Sequence, residues 1–172
     1  QNRHLENEGY TFINVTSNAR NPSRLGGYEN SPFVQLSPFY PVGSVPLPPC
    51  FGSTRYSESV EGLWQGLKII EGQIEVLKFK IINMKNLKRK VKSGQTMNGH
   101  FLSKEDTPLG YLEARRRIYI PAYEGVLKNQ AKETVLELLK IWHTKRKIAL
   151  VDYNTGERDD TSKPMSHAVL VR

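Results

Sequence analysis

Apolar and polar positions recur along this chain with spacings that change from segment to segment, and each change predicts an element. Tyr10 to Val15 and Phe33 to Leu36 are short β-favouring runs within a stretch rich in Pro, Ser, Asn and Gly, which predicts strands joined by ordered loops. Pro41, Pro46, Pro48 and Pro49 keep the following segment extended, because proline fixes its own φ and biases its predecessor away from helix. Val60, Leu63, Leu67 and Ile70 then recur at helical spacing and predict a helix within Tyr56 to Lys68 whose apolar side packs into a core.

A second helical pattern is predicted from Glu71 to Lys92, with Ile74, Leu77, Ile81, Met84 and Val91 near helical spacing. Glu71 and Glu75 near its start and Lys85, Lys88, Arg89, Lys90 and Lys92 toward its end complement a helix dipole, which makes the lysines a solvated face, the alternative being a phosphate-contacting patch. A third helix is predicted from about Leu109 to Val126, bent near Pro121. A fourth is predicted from Lys132 to Trp142, with Val135, Leu138, Leu139 and Trp142 inward. Lys147 to Val151 and Ala168 to Val171 read as short strands flanking a polar loop, Tyr153 to Ser166. The fold class expected from this order is α+β, mainly helical, with a few short strands. Residues 1–172 are expected to make one compact domain, of which 1–52 is a strand- and loop-rich N-terminal segment and 53–172 a helical core with C-terminal strands.

Composition narrows the functional classes. With 25 Lys and Arg against 17 Asp and Glu, the chain carries a net charge of +8, which favours anionic partners such as nucleotides, nucleic acid or a phosphorylated surface. One cysteine, Cys50, excludes an intrachain disulfide framework and fits a reducing compartment, and no apolar run approaches the roughly 18 residues of a membrane helix. The expected location is cytoplasmic, with no membrane partner. His4, His100, His143 and His167 have no ligand-like spacing with one another or with Cys50, so no metal site is expected. No Walker loop, dinucleotide fingerprint or nucleophile elbow occurs, and no cofactor is expected.

The candidate chemistry lies on the first helix. Glu61, Trp64, Gln65 and Lys68 are spaced three and four apart and form one stripe on a helix surface, joining a carboxylate, an indole, an amide and an ammonium. Gly62 and Gly66 each cost a helix interior about 1 kcal/mol relative to Ala, and close approach of a backbone or a flat ligand would justify them. The stripe is expected to face a ligand; in the alternative, Trp64 anchors the core while Glu61 and Lys68 are solvated. Arg115 or Arg116 can clamp a diphosphate bidentately, although three consecutive arginines, Arg115 to Arg117, cannot all point to one site. Asp152, at the end of a strand, is the second candidate acid, with Asp159 and Asp160 in the loop as the nearest substitutes. Any of the three can instead cap a turn.

Two segments resemble the NADAR superfamily. Leu36-Ser37-Pro38-Phe39-Tyr40-Pro41 is similar to that family's early loop Leu-Ser-Asn-Phe-Tyr-Pro, and Tyr56 to Lys68 to its helix Tyr-x-Ser-Val-Glu-x-x-x-Gln-x-x-Lys, with one extra residue between Tyr and Ser. A weaker likeness extends the comparison to roughly residues 33 to 171. Where the family commonly has a His after the helix glutamate, this chain has Gly62, and where it has an Asp-Trp pair in the third helix this chain has Glu113 and Arg115 to Arg117. The resemblance implies a NADAR-like domain, adds Tyr40 to the substrate-binding candidates and matches Glu61 to the family's catalytic glutamate. It implies hydrolysis of an N-glycosidic bond in an ADP-ribose-like nucleotide or ADP-ribosylated nucleic acid, possible partners including DNA. That bond breaks through an oxocarbenium-like transition state, which calls for a carboxylate such as Glu61, while Trp64 could stack on a purine or ribose. The alternatives are a non-catalytic nucleotide- or nucleic-acid-binding module, in which Glu61 only hydrogen-bonds the ligand, and a glycosyltransferase using the same bond chemistry.

Overall fold

The computed structural model of the protein describes residues 8–15, 33–144, 147–152 and 154–171. In chain order these form β1 (Tyr10–Asn14), a 3-10 turn (Val34–Leu36), β2 (Val45–Pro46), a second 3-10 turn (Pro49–Phe51), β3 (Tyr56–Ser57), α1 (Val60–Leu67), β4 (Lys68–Ile70) and a third 3-10 turn (Val76–Lys80). There follow β5 (Met97–His100), α2 (Tyr111–Ala114), a π turn (Arg115–Tyr119), α3 (Ile120–Lys128), α4 (Lys132–His143), β6 (Lys147–Val151) and α5 (Ala168–Val171). The fold is mixed α/β: several helices, and short strands paired two by two, with no barrel among the described residues. The chain gathers into two compact units, Gln1–Ser37 with Leu127–Arg172, and Pro38–Val126. Of the expected N-terminal strand-and-loop segment, residues 1–7 and 16–32 lie outside the described residues.

In the unit built from the two chain ends, β1 pairs in parallel with β6, placing Ile13 opposite Leu150. Ile13, Val15, Leu36 and Leu138 form its buried core, with Val135, Ile148 and Leu150 packed against it. Three expectations need correction in this unit. Phe33 to Leu36 is not a strand: Leu36 N–H donates to the Phe33 carbonyl and Ser37 N–H to that of Val34, closing a 3-10 turn that drives Leu36 inward. The fourth helix buries Thr134 and Leu138, four residues apart, whereas Leu139 is 43% and Trp142 64% exposed. The buried stripe is centred on Thr134 and Leu138, and Leu139 lies about 100° further round the helix. Ala168 to Val171 is a single helical turn instead of a strand, because the Asp152 carboxylate accepts the His167 N–H at 2.6 Å and so caps its start.

The other unit is organised around α1. Ser59 is its N-cap, accepting the Gly62 N–H at 3.0 Å, and all eight helical residues are buried, so the helix is enclosed on every side. This explains the two glycines. A Cβ at Gly62 would come within 2.8 Å of the Lys78 carbonyl oxygen, and one at Gly66 would collide with the Phe79 ring. The close approach is therefore made by the 3-10 turn Val76–Lys80.

The segment from Glu71 to Lys92 does not form the expected helix. It runs on from β4 as the 3-10 turn and irregular chain, with Glu71 at φ 52° and Asn86 at φ 61°. Local reasons are Asn83, Asn86 and the like-charged pairs that a helix would juxtapose four apart, Lys85 with Arg89 and Lys88 with Lys92. The tertiary reason is that this segment supplies partners to the C-terminal end of α1. The carbonyls of Gln65 and Lys68 accept from the Arg89 guanidinium, that of Gly66 from Glu75 N–H at 2.9 Å and that of Leu67 from Phe101 N–H at 2.9 Å. The third helix is helical from Tyr111 through Lys128, as its pattern predicts. The ring at Pro121 cannot donate to the carbonyl one turn back, and a π turn at Arg115–Tyr119 absorbs the mismatch just before it.

Gly66→Ala is expected to lower stability by about 1–3 kcal/mol, because overpacking against Phe79 outweighs the gain of about 1 kcal/mol in helix propensity. Thermal denaturation checks it; an unchanged or raised midpoint would show that the Phe79 ring yields freely.

Candidate functional site

Within the unit Pro38–Val126, α1 presents a buried group of functional side chains. Glu61 lies in the first turn, where the helix dipole favours its charge, and is 5% exposed. Its backbone N–H donates to the Pro38 carbonyl at 2.9 Å, and the Val42 and Gly43 N–H groups donate to the Glu58 carbonyl, so the loop carrying half-buried Tyr40 is tied to the start of the helix. One turn on, Gln65 Nε2 donates to Glu61 Oε1 at 2.6 Å, while Gln65 Oε1 accepts the backbone N–H of Arg89 at 2.9 Å. The glutamine thus fixes the carboxylate with one end of its amide and the lysine-rich segment with the other.

Of the alternative expected for this helix, the core position of Trp64 holds and the solvation of Glu61 does not. Trp64 is buried, and Glu61 and Gln65 are buried with it instead of solvated. Trp64 stacks on His100 with ring centroids 3.8 Å apart and meets the edges of Tyr111 and Tyr119 at 5.9 and 5.4 Å. One indole face is therefore taken by the protein's own imidazole. Tyr111 leads to Arg115, whose guanidinium lies 4.8 Å from that ring and donates to the phenolic oxygen at 3.1 Å. Of the three arginines, Arg115 is buried in the π turn and Arg116 is exposed. Arg117 is also exposed, pairing with Glu113 at 3.0 Å.

His100 is the residue that sequence reasoning missed. Antiparallel pairing of β4 with β5 sets it opposite Lys68, and reciprocal backbone bonds with Leu109 hold it there. Its side chain is fully buried, and neither ring nitrogen has a hydrogen-bond partner. Burial, with the Lys68 charge nearby, pushes its pKa down to about 3, so the ring is neutral at pH 7 and offers one donor and one acceptor. Burial likewise pulls Lys68 below the usual lysine range. The Glu61 carboxylate opposes that shift, and the cations of Arg89 and Lys88 add to it. The only signal in the sequence was an isolated His within a polar stretch, and its pairing with Lys68 depends on a hairpin closed over 26 residues of irregular chain.

The remaining candidates belong to the other unit. Asp152 follows β6 as predicted, but its carboxylate is taken up locally. It accepts from His167 N–H and from Ser166 Oγ at 3.2 Å, and lies 3.4 Å from His167 Nδ1, which is the capping alternative in geometric form. Asp160 accepts from Ser162 N–H at 2.9 Å and from its hydroxyl at 2.6 Å, closing a turn, and lies 3.9 Å from Lys163. Asp159 is exposed. Among the described residues no three His, Cys, Asp or Glu side chains converge as a metal site would require, and no helix is long and apolar enough to cross a membrane.

One family's sequence profile covers residues 3–171: the family of unknown function DUF6939. The chain belongs to that family. No curated protein and no solved structure matches it. This corrects the expected NADAR and glycosidase identity, because the family found is one whose function is unknown. In this DUF6939 chain the two glycines of the NADAR-like helix motif are accounted for by Lys78 and Phe79, so those positions need no shared ligand.

His100 also makes stability depend on pH. Between pH 6.5 and about 3 the unfolded chain takes up a proton that the folded imidazole refuses, so stability falls as pH drops through that window and this group contributes no slope above it. His100→Phe keeps a ring against Trp64 and removes both unpartnered nitrogens. It is expected to raise stability at pH 7 and to flatten the acid limb by up to about 1.4 kcal/mol per pH unit. Denaturant titrations of both proteins at pH 4.5 and 7 check it, and parallel acid limbs would contradict it.

Proposed function

We propose that the α1 cluster binds a nucleotide and hydrolyses its N-glycosidic bond, with Glu61 as the carboxylate that faces the developing positive charge. The observation that carries this reading is the convergence of Glu61, Gln65, Trp64, Lys68 and His100 in one largely buried group, with an imidazole whose two nitrogens have no partner. A fold that keeps such polar atoms inside a protein incurs about 1–3 kcal/mol for each, a cost more often retained for function than for stability.

The chemistry follows from the environment. A glycosidic carbon losing its nitrogen substituent becomes oxocarbenium-like, and a carboxylate held in a low-dielectric site stabilises that charge without reorganising. Gln65 holds Glu61 in place from one side, and the Glu61 carboxylate acts to keep the nearby Lys68 charged. A neutral His100 can hydrogen-bond water or a departing base, donating through one ring nitrogen and accepting through the other. Arg115, which reaches this group through Tyr111, carries a guanidinium fork that suits a phosphate. A cytoplasmic location belongs to the same proposal and is supported by cysteine usage, a single exposed thiol at Cys50.

A second reading is favoured by the Gln65 bridge itself. Glu61 is held in a network that reaches the Arg89 backbone, as suits a carboxylate whose task is to order a binding site without reacting. Incubation with NAD, ADP-ribose conjugates and ADP-ribosylated oligonucleotide, followed by chromatography and mass spectrometry, separates the two. Release of free base or free sugar nucleotide that falls by at least about a hundredfold in Glu61→Gln supports hydrolysis. Tight binding without any product, weakened in Glu61→Gln, supports the non-catalytic module. Product that forms only when an acceptor alcohol or amine is added identifies a transferase.

A further inference from the structure

The lysine-rich segment expected as a solvated helix face instead forms one wall of a groove. From Val76 to Lys104 the chain has seven lysines and one arginine and no Asp or Glu. Folded without a regular helix, this stretch lines a cavity of about 440 Å³ with Lys78, Lys88, Arg89, Lys90 and Lys92, and Glu71 and Glu75 line it too.

These charges are not equivalent. Arg89 is committed to the fold: its guanidinium donates to the carbonyls of Gln65, Lys68 and Gln73 and pairs with Glu75 at 2.9 Å. Lys78 donates to the Asn86 carbonyl at 2.7 Å and lies 3.8 Å from Glu75, while Glu71 accepts the Thr96 N–H. Arg89 thus anchors the strand of chain on which exposed Lys88 and Lys90 flank it, with exposed Lys92 two residues on. Like charges gathered along a concave wall repel one another, and the same wall focuses their field on any anion that enters.

From this groove we infer an anion site distinct from the Glu61 cluster, in which Lys88, Lys90 and Lys92 bind phosphate groups. The shared chemistry is a phosphate ester or anhydride, supplied either by a small nucleotide or by the backbone of a single-stranded nucleic acid. The groove is linked to the cluster by structure, since the Arg89 N–H bonds Gln65, which bonds Glu61, and Lys88 and Arg89 both act on the charge of Lys68. A phosphate bound there would offset two of the charges that depress Lys68. The site does not require the proposed hydrolysis and can exist without it.

Titrations with inorganic pyrophosphate and with a short fluorescent single-stranded oligonucleotide, at several salt concentrations, test the inference. They use the whole chain and a Lys88→Ala/Lys90→Ala/Lys92→Ala variant. The expected result is binding of at least one probe by the parent, weakened about tenfold or more in the triple variant and unchanged in Lys104→Ala, whose exposed lysine lies outside the groove. If the oligonucleotide is the tighter ligand, the salt slope should fall by nearly one unit for each phosphate-binding lysine removed. If pyrophosphate binds and the oligonucleotide does not, a small nucleotide is the source. No binding of either probe by the parent, or equal binding by a triple variant whose circular dichroism matches the parent, overturns the site. Glu61→Gln is expected to retain groove binding, so failure of the hydrolase reading and failure of this one are read separately.

Discussion

The unit Pro38–Val126 depends on how the short helix Val60–Leu67 is terminated. A helix leaves its last carbonyls without internal partners, and burial on all sides denies this one the water that usually serves. Glu75, Arg89 and Phe101, spread over 27 residues of sequence, bring donors to four successive carbonyls from Gln65 to Lys68. Once those bonds are made, the positions of β4, the irregular lysine segment and β5 are fixed together. The two glycines of the helix let the 3-10 turn come close enough for this to happen.

The candidate site is a by-product of the same arrangement. The donor from Arg89 that satisfies Gln65 Oε1 turns the other end of the amide toward Glu61, and the return of the chain through β5 carries His100 against Trp64. Polar groups are thereby brought into low dielectric where their ionisation is shifted: His100 is held neutral and Lys68 is pulled downward. Such shifts are expected at working sites more often than in purely structural networks, although both kinds of network produce them. In the other unit the same principle serves packing: Asp152 spends its carboxylate on the start of α5, at the end of a strand where a functional acid would also stand.

What the chain itself made legible follows local rules. The apolar run Lys147 to Val151, the helix Lys132 to His143, the long helical stretch from Tyr111 and the helix beginning at Val60 could each be read from periodicity, because the short-range pattern specifies the element, although not which of its side chains turn inward. Charge balance and the grouping of Glu61, Trp64, Gln65 and Lys68 were visible for the same reason, since their spacing along one helix is a property of sequence.

Tertiary structure alone decided the rest. Whether Glu71 to Lys92 became a helix depended on the unmet carbonyls of α1, which no local window contains, and whether Ala168 to Val171 became strand or helix depended on a carboxylate 15 residues before His167. His100 entered the site through a cross-strand pairing with Lys68, and the orientation of the lysines through the anchoring of Arg89. In each case the deciding interaction joins groups distant in sequence, and a buried polar atom must find its partner wherever the folded chain supplies one.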